Sequence, residues 1–333
     1  MSELKGILVY AEVAESGIHP ISFELLGKAR EIADKLDFKV WSVILGHNIS
    51  DKASELIYYG ADKVYVYDDE RLRDLNVITY KTLLTALVKE IKPEIFLMGA
   101  TPWGRNLAPR IAAALNTGLT ADCTDLQVDE NGKIIQIRPA FTGNILAHIE
   151  TVSKPIMATI RYKVMKPIER NTRRKGEIII RRPEKIEADG IKCLGKISRR
   201  EVNLPDADVI VAGGRGLKKK EDLKLLEELA DLLGGVIGAS RPLVDEGWIS
   251  KDHQVGFSGN TVKPKLYIAC GISGSPQHLA GMRDSRMIIA INTDPSAPIF
   301  RHADYGVVAD LYEFIPRLIA LLKKVKKHGK QGS

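Results

Sequence analysis

Cysteine is scarce in this chain. Only Cys123, Cys193 and Cys270 occur among 333 residues, and they are far apart in sequence. That spacing excludes a zinc knuckle, an iron–sulfur set and a disulfide framework. The expectation is a reducing, cytoplasmic compartment with the three thiols as small core residues. Long apolar runs are missing too: no window of about 18 apolar residues exists, so no membrane span is expected. Met1-Ser2-Glu3-Leu4-Lys5 leads into an apolar strand without the basic start and cleavage site of a signal peptide. Aromatics are only 6%, and the basic C-terminal run (Lys323, Lys324, Lys326, Lys327, Lys330) contains none. A nucleic-acid surface of interleaved bases and rings is therefore disfavoured, and a solvated tail over 328–333 is expected. There is no His-Glu-x-x-His, Gly-x-Ser-x-Gly or P-loop pattern, and the seven histidines have no metal spacing.

What is present is ordinary for a soluble globular protein: 44% hydrophobic and 27% charged residues, with a net charge of +7. The length suits two domains. Gly6-Ile7-Leu8-Val9-Tyr10, the run 40–45, the run 63–67 and Ile95-Phe96-Leu97-Met98 read as buried strands. Between them, 76–91 and 104–116 carry apolar stripes at helical spacing. Continuous apolar strands alternating with amphipathic helices predict a parallel sheet covered on both faces. From about 123 to 200 the segments shorten and alternate, with Asn131-Gly132 as a hairpin signal, so antiparallel strands are expected there. A second α/β unit starts with Asp208-Val209-Ile210-Val211-Ala212 and ends in a helix from Leu311 to about Val325. The fold class is thus α/β in two domains, 1–195 and 205–327. The first has added antiparallel strands and the second is a Rossmann-like parallel unit.

Candidate chemistry concentrates after residue 210. Gly213-Gly214-Arg215-Gly216 follows a strand, and Lys218, Lys219 and Lys220 are expected in the first turn of the next helix, where cations oppose the dipole unless an anion is bound or Glu221 and Asp222 compensate. Further small-residue loops are Gly238-Ala239-Ser240-Arg241-Pro242, Gln254-Val255-Gly256-Phe257-Ser258-Gly259, the stretch 270–282, Asn292-Thr293-Asp294-Pro295 and the stretch 303–310. In a parallel sheet such loops share the edge where ligands bind. Each has a plain alternative: Ser273 and Asp310 as helix caps, His278 as a first-turn or core histidine, Arg241 as a surface ion pair. In the first domain, Thr101-Pro102-Trp103-Gly104-Arg105 either faces a cofactor across an interface or simply starts a helix around a packed Trp103.

Taken in order, Gly213-Gly214-Arg215-Gly216-Leu217-Lys218, Gly238-Ala239-Ser240-Arg241, Gln254-Val255-Gly256, Ile268-Ala269-Cys270-Gly271-Ile272-Ser273-Gly274, Gln277-His278-Leu279-Ala280-Gly281-Met282, Ala290-Ile291-Asn292-Thr293-Asp294-Pro295 and Ala303-Asp304-Tyr305-Gly306 make the chain resemble electron transfer flavoprotein alpha subunits. Gly118-Leu119-Thr120-Ala121-Asp122 and Arg138-Pro139-Ala140-Phe141 match more loosely. The resemblance implies FAD held by the C-terminal domain and a heterodimer with a beta subunit, which the N-terminal domain would contact. It implies electron relay between dehydrogenases or NADH and an acceptor oxidoreductase or quinone, or work inside an electron-bifurcating complex. By the family motif, Arg215, Ser240 and Asn292 approach the dinucleotide. Val255, Gly256, Phe257 and Ser258, with Ser273, Gly274, Ser275, Pro276, Gln277 and His278, wrap it, while Asp310 and Leu311 close the adenosine end. Arg241, Ser258 and His278 approach the flavin ring, where charge near N1 and N5 tunes the potential. The family often has Gln-Thr where this chain has Phe257-Ser258, and Ala-Ile where it has Ser275-Pro276. The rival readings are a nicotinamide-dependent dehydrogenase and a non-catalytic nucleotide-binding module. The first lacks the acidic residue expected about 20 residues beyond the glycine loop.

Overall fold

The computed structural model describes residues 5–14, 17–140, 145–182 and 204–329. The chain divides into two compact units, Met1–Lys196 and Ile197–Ser333. Cys193, and most of the joint expected near 195–206, lie outside the described residues.

The first unit opens with β1 (Gly6–Ala11), all six residues buried. Period-two alternation divides them: Ile7, Val9 and Ala11 join one core, Leu8 and Tyr10 the other. Burial on both faces is why the run reads as continuously apolar. A small ribbon follows, β2 (Val13–Ala14) and β3 (Gly17–Ile18). Then come α1 (Ile21–Leu36), β4 (Lys39–Gly46), α2 (Ala53–Tyr58), β5 (Lys63–Asp68), α3 (Val77–Ile91), β6 (Ile95–Gly99), α4 (Pro102–Leu115) and β7 (Leu119–Cys123). Asn76 caps α3 by accepting from the N–H groups of Ile78 and Thr79. Thr101 caps α4, with Pro102 at the first helical position, so this helix starts before the stripe that announces it. Trp103 packs inward and donates from Nε1 to Tyr10 Oη at 2.9 Å.

The hairpin at Asn131-Gly132 joins β8 (Asp125–Val128) to β9 (Ile134–Ala140), and β10 (Ile145–Glu150) completes an antiparallel sheet in the order β10-β9-β8. The antiparallel expectation does not extend to residue 200. β11 (Ile156–Ile160) is buried throughout and pairs parallel with both β6 and β7, and β12 (Glu177–Ile180) pairs parallel with β5. The large sheet is therefore β12-β5-β4-β1-β6-β11-β7. Ile-Met-Ala-Thr-Ile is the continuous run of a doubly covered strand, and β12 hides in composition because it is an edge beside charged turns.

The second unit contains β13 (Val209–Gly213), α5 (Leu223–Leu233), β14 (Val236–Ala239), α6 (Arg241–Asp245), β15 (Leu266–Cys270), α7 (Pro276–Met282), β16 (Ile288–Asn292), β17 (Tyr305–Val308) and α8 (Leu311–Gly329). Its five strands are all parallel, in the order β14-β13-β15-β16-β17. The chain leaves β13 toward one side of the sheet and β15 toward the other. Such a reversal opens a crevice beyond the carboxyl ends of those two strands. Two differences from expectation bear on it. Lys218, Lys219 and Lys220 lie ahead of α5, because Leu217 turns inward to 4% exposure and the α-helix begins only at Leu223. And α8 runs to Gly329, taking in the first residues of the expected tail.

Candidate functional site

A cleft of about 470 Å³ lies where the reversal places it, within the range of small-molecule and cofactor sites, about 300–1,000 Å³. Of the residues singled out in sequence, Arg215, Ser240, Ser273, Gly274, Ser275, His278, Asn292, Asp310 and Leu311 line it. They come from the ends of β13, β14, β15 and β16, from α7 and from the start of α8. Gly216, Lys218, Gly271, Ile272, Thr293, Asp294 and Tyr312 also line it.

Glycine loops build part of the wall. The N–H of Gly214 donates to Cys270 O and that of Gly216 to Gly271 O, both at 3.0 Å, binding the loops after β13 and β15 side by side. Gly271 sits at φ +62, and a Cβ there would come within 2.7 Å of Gly216 Cα. Only glycine permits this approach. Asn292 then ties the next loop in: its Nδ2 donates to Ile272 O, and its Oδ1 accepts from Asp294 N–H, each at 3.0 Å. Asp310 caps α8 through the Tyr312 N–H at 2.8 Å. At α7 the cap is Ser275, not Ser273.

Tyr312 was not legible as a site residue. Its hydroxyl accepts from the Lys218 N–H at 2.7 Å and donates to Asp222 Oδ2 at 2.5 Å. The Lys218 ammonium lies 4.7 Å from the centre of its ring. Burial, with Asp222 beside it, pushes the Tyr312 phenol up to about 12, while the Tyr312 hydrogen bond holds the Asp222 carboxyl below its usual range. Tyr312 adjoins the apolar stripe of α8 in sequence, and only the folded chain brings it to the glycine loop.

The other nominated residues do not line the cleft. The Arg241 side chain is 68% exposed and its Nε donates to Asp245 Oδ2 at 3.1 Å. Val255 is core, and Phe257 is 66% exposed. The Ser258 hydroxyl accepts from Gln254 Nε2 at 3.0 Å. Gly256 packs on α7 so closely that a Cβ on Gly281 would lie 2.4 Å from its Cα. The Phe257 N–H donates to Gln277 O at 2.7 Å, and Pro276 opens α7. Gly256 and Phe257 thus meet α7 beside the cleft, while Arg241 opens α6.

His278 belongs to α7 and lines the cleft. It is 4% exposed, with Nε2 3.0 Å from Tyr267 Oη. Its Nδ1 is buried with no hydrogen-bond partner among the described residues. Burial pushes the imidazole down to about 4, with the Val255 backbone opposing, so the ring is neutral at pH 7. An open buried nitrogen costs about 1–3 kcal/mol, which a ligand atom would relieve. Glycine-walled loops, small hydroxyls and the cations of Arg215 and Lys218 fit an extended ligand carrying a pyrophosphate.

The sequence family described as the electron transfer flavoprotein domain matches residues 7–185, and the electron transfer flavoprotein FAD-binding domain matches residues 203–283. The chain belongs to the electron transfer flavoprotein alpha-subunit family. It is 49% identical over 330 residues to the electron transfer flavoprotein subunit alpha of Thermoanaerobacterium thermosaccharolyticum, covering 98% of this chain and 100% of that one. The corresponding subunit of Megasphaera elsdenii is 47% identical, covering 98% of each. A third relative, LctC of Acetobacterium woodii, a subunit of a protein named lactate dehydrogenase (NAD(+),ferredoxin), is 45% identical over 96% of this chain and 77% of its own length. The cofactor of this family's C-terminal domain is FAD, and the donor set of the cleft fits it. Among the described residues no helix is long and apolar enough to cross a membrane, and no His, Cys, Asp and Glu cluster could hold a metal. Cys123 and Cys270 are buried, and burial pushes both thiols up to about 12.

Proposed function

We propose that this chain holds FAD in the C-terminal cleft as one half of a heterodimer with a beta subunit. In that role it relays single electrons from dehydrogenases or NADH to an acceptor oxidoreductase or quinone. The observation that carries the reading is the cleft itself, at a topological reversal, with a buried His278 Nδ1 on its lining that has no partner among the described residues. Bound FAD supplies reversible one-electron chemistry. The chain's own residues divide the remaining work. Arg215 and Asn292 would hold the dinucleotide against the glycine-walled loops, with Ser240 beside them and Asp310 and Leu311 at the adenosine end. His278 would offer a neutral polar contact to the flavin. Arg241, at the start of α6, and Ser258 would approach the ring. The Arg241–Asp245 pair is solvent-exposed and therefore weak, so its guanidinium is available to a developing negative charge. In a second reading the heterodimer works in electron bifurcation, favoured by the likeness to LctC, a subunit of a lactate dehydrogenase (NAD(+),ferredoxin).

The test is co-expression with the partner subunit, followed by visible absorption and flavin quantitation. A yellow heterodimer that passes electrons one at a time during dithionite titration is the expected result. One FAD per heterodimer supports a simple relay, and two, one of them reduced by NADH, support bifurcation. A folded but colourless heterodimer that takes up no added FAD would overturn the proposal.

A further inference from the structure

We infer that Tyr267, which does not line the cleft, fixes the ring tautomer of His278 and so makes Nδ1 a hydrogen donor for an acceptor atom of the flavin. The inference rests on the proposed approach of His278 to FAD.

Tyr267 is fully buried on β15, and among the described residues its hydroxyl has one hydrogen bond, to His278 Nε2 at 3.0 Å. A hydroxyl carries one proton, whereas a neutral imidazole has one N–H and one bare nitrogen. Two arrangements therefore satisfy the 3.0 Å contact. If Nε2–H donates to Tyr267, the phenolic proton is buried with no acceptor among the described residues, and Nδ1 is a bare, unpartnered nitrogen. If Tyr267 donates to Nε2, the phenolic proton is used and, among the described residues, the one open group is the Nδ1–H. The second arrangement leaves one unsatisfied group instead of two, so it is the one the fold supports. The imidazole is held neutral by burial, so the choice of tautomer decides what the cleft is offered: a donor or a lone pair. Reduced flavin carries extra charge near N1 and the C2 carbonyl. A donor there favours reduction, and a lone pair opposes it. Tyr267 is thus a positioning residue acting through His278.

The experiment uses the whole chain in its heterodimer, with histidine labelled with 15N. In the FAD-free protein the His278 resonances should show a protonated Nδ1 and a bare Nε2, and addition of FAD should move Nδ1. Tyr267→Phe keeps the ring volume and removes the hydroxyl. It should introduce the other tautomer and lower the FAD midpoint potential, shifting the oxidised-to-reduced binding ratio about tenfold, or about 30 mV for a two-electron couple. A wild-type His278 carrying its proton on Nε2 overturns the inference whether or not the variant folds. If Tyr267→Phe leaves the potential unchanged while His278→Ala moves it, the inference fails and the proposed function stands. Should neither variant move the potential, His278 does not face the flavin, and that part of the proposed function fails with the inference.

Discussion

Gly271→Ala is the sharpest test of how the cleft is built. The residue lies at φ +62, and an added Cβ would stand 2.7 Å from Gly216 Cα, 3.1 Å from Gly216 N and 3.0 Å from Leu311 Cδ2. Two costs combine. The left-handed backbone is worth about 1–2 kcal/mol to any residue with a Cβ. Overpacking adds about 1–3 kcal/mol, and here the obstacle is backbone, which cannot swing aside as a side chain does. The loop after β13 must shift, and the 3.0 Å bond from Gly216 N–H to Gly271 O goes with it. The expected loss is about 2–5 kcal/mol. Gly234 is the natural control. It caps α5 at φ +66 with nothing within 4 Å of its Cβ position, so Gly234→Ala carries only the backbone strain, about 1–2 kcal/mol. Urea unfolding of both variants and FAD titration of both should separate the terms. Gly271→Ala should lose more stability and also bind FAD more weakly, while Gly234→Ala should keep its affinity. Equal stability losses would refute the close approach of the two loops. A destabilised Gly271→Ala with wild-type FAD affinity would refute the placement of the dinucleotide beside them.

Other outcomes follow from single contacts. Tyr312→Phe removes the link from α8 to Lys218 and Asp222, and FAD titration should show several-fold weaker binding; unchanged affinity would mean the link does not shape the cleft. Glu12 is 8% exposed and pushed up to about 7 by burial, although Thr101 Oγ1 donates to it at 2.6 Å. The folded chain keeps a proton that the unfolded chain releases near 4.5, so stability falls by about 3 kcal/mol as pH rises from about 4.5 to about 7. Glu12→Gln should flatten that slope in urea melts, and a slope left intact would show that Glu12 is not its source. His278 works in the opposite sense. Its folded pKa of about 4 lies below the unfolded 6.5, so it adds stability as pH rises through that window, and His278→Asn should abolish this rise in the FAD-free protein.

The parallel sheets were legible because burial on both faces writes itself as uninterrupted apolar runs, as in β1 and β15. The loops of the cleft were legible because glycine and small hydroxyl residues gather at strand ends. Three features were not. β11 joins the central sheet after a long antiparallel excursion, and nothing local to Ile156–Ile160 says which sheet it will enter. Lys218 looks like a first-turn residue until Leu217 is seen to drop into the core and delay the helix. Tyr312 meets Lys218 across 94 positions, a pairing that no periodicity encodes. Arg241, Val255, Phe257 and Ser258 stand in loops of the same small-residue kind, yet the chain by itself sets them apart from the cleft lining, because composition marks a loop without saying which way its side chains turn.

The two units share a design up to the point where they could bind a ligand, and they part there by a single kind of residue. In the first, the order β12-β5-β4-β1-β6-β11-β7 reverses between β1 and β6, so a crevice lies beyond the ends of those strands. The residue after β1 is Glu12, and its carboxyl turns to Thr101, the cap of α4 after β6. A side chain of the protein itself thus fills the place nearest the helix start, with the Ser22 hydroxyl accepting from the Glu12 N–H at 3.1 Å. In the second unit the corresponding reversal lies between β13 and β15, and the residues after those strands are Gly214 and Gly271. A Cβ at Gly214 would come within 2.5 Å of Gly271 O, so the loops close against each other instead of sending a side chain forward. Space is left beyond them, and the polar groups that line it come from residues further along the same loops, such as Arg215 and Ser273, and from the ends of β14 and β16. A buried carboxyl bonded to the helix cap at one reversal and glycine at the other is the physical difference between the two.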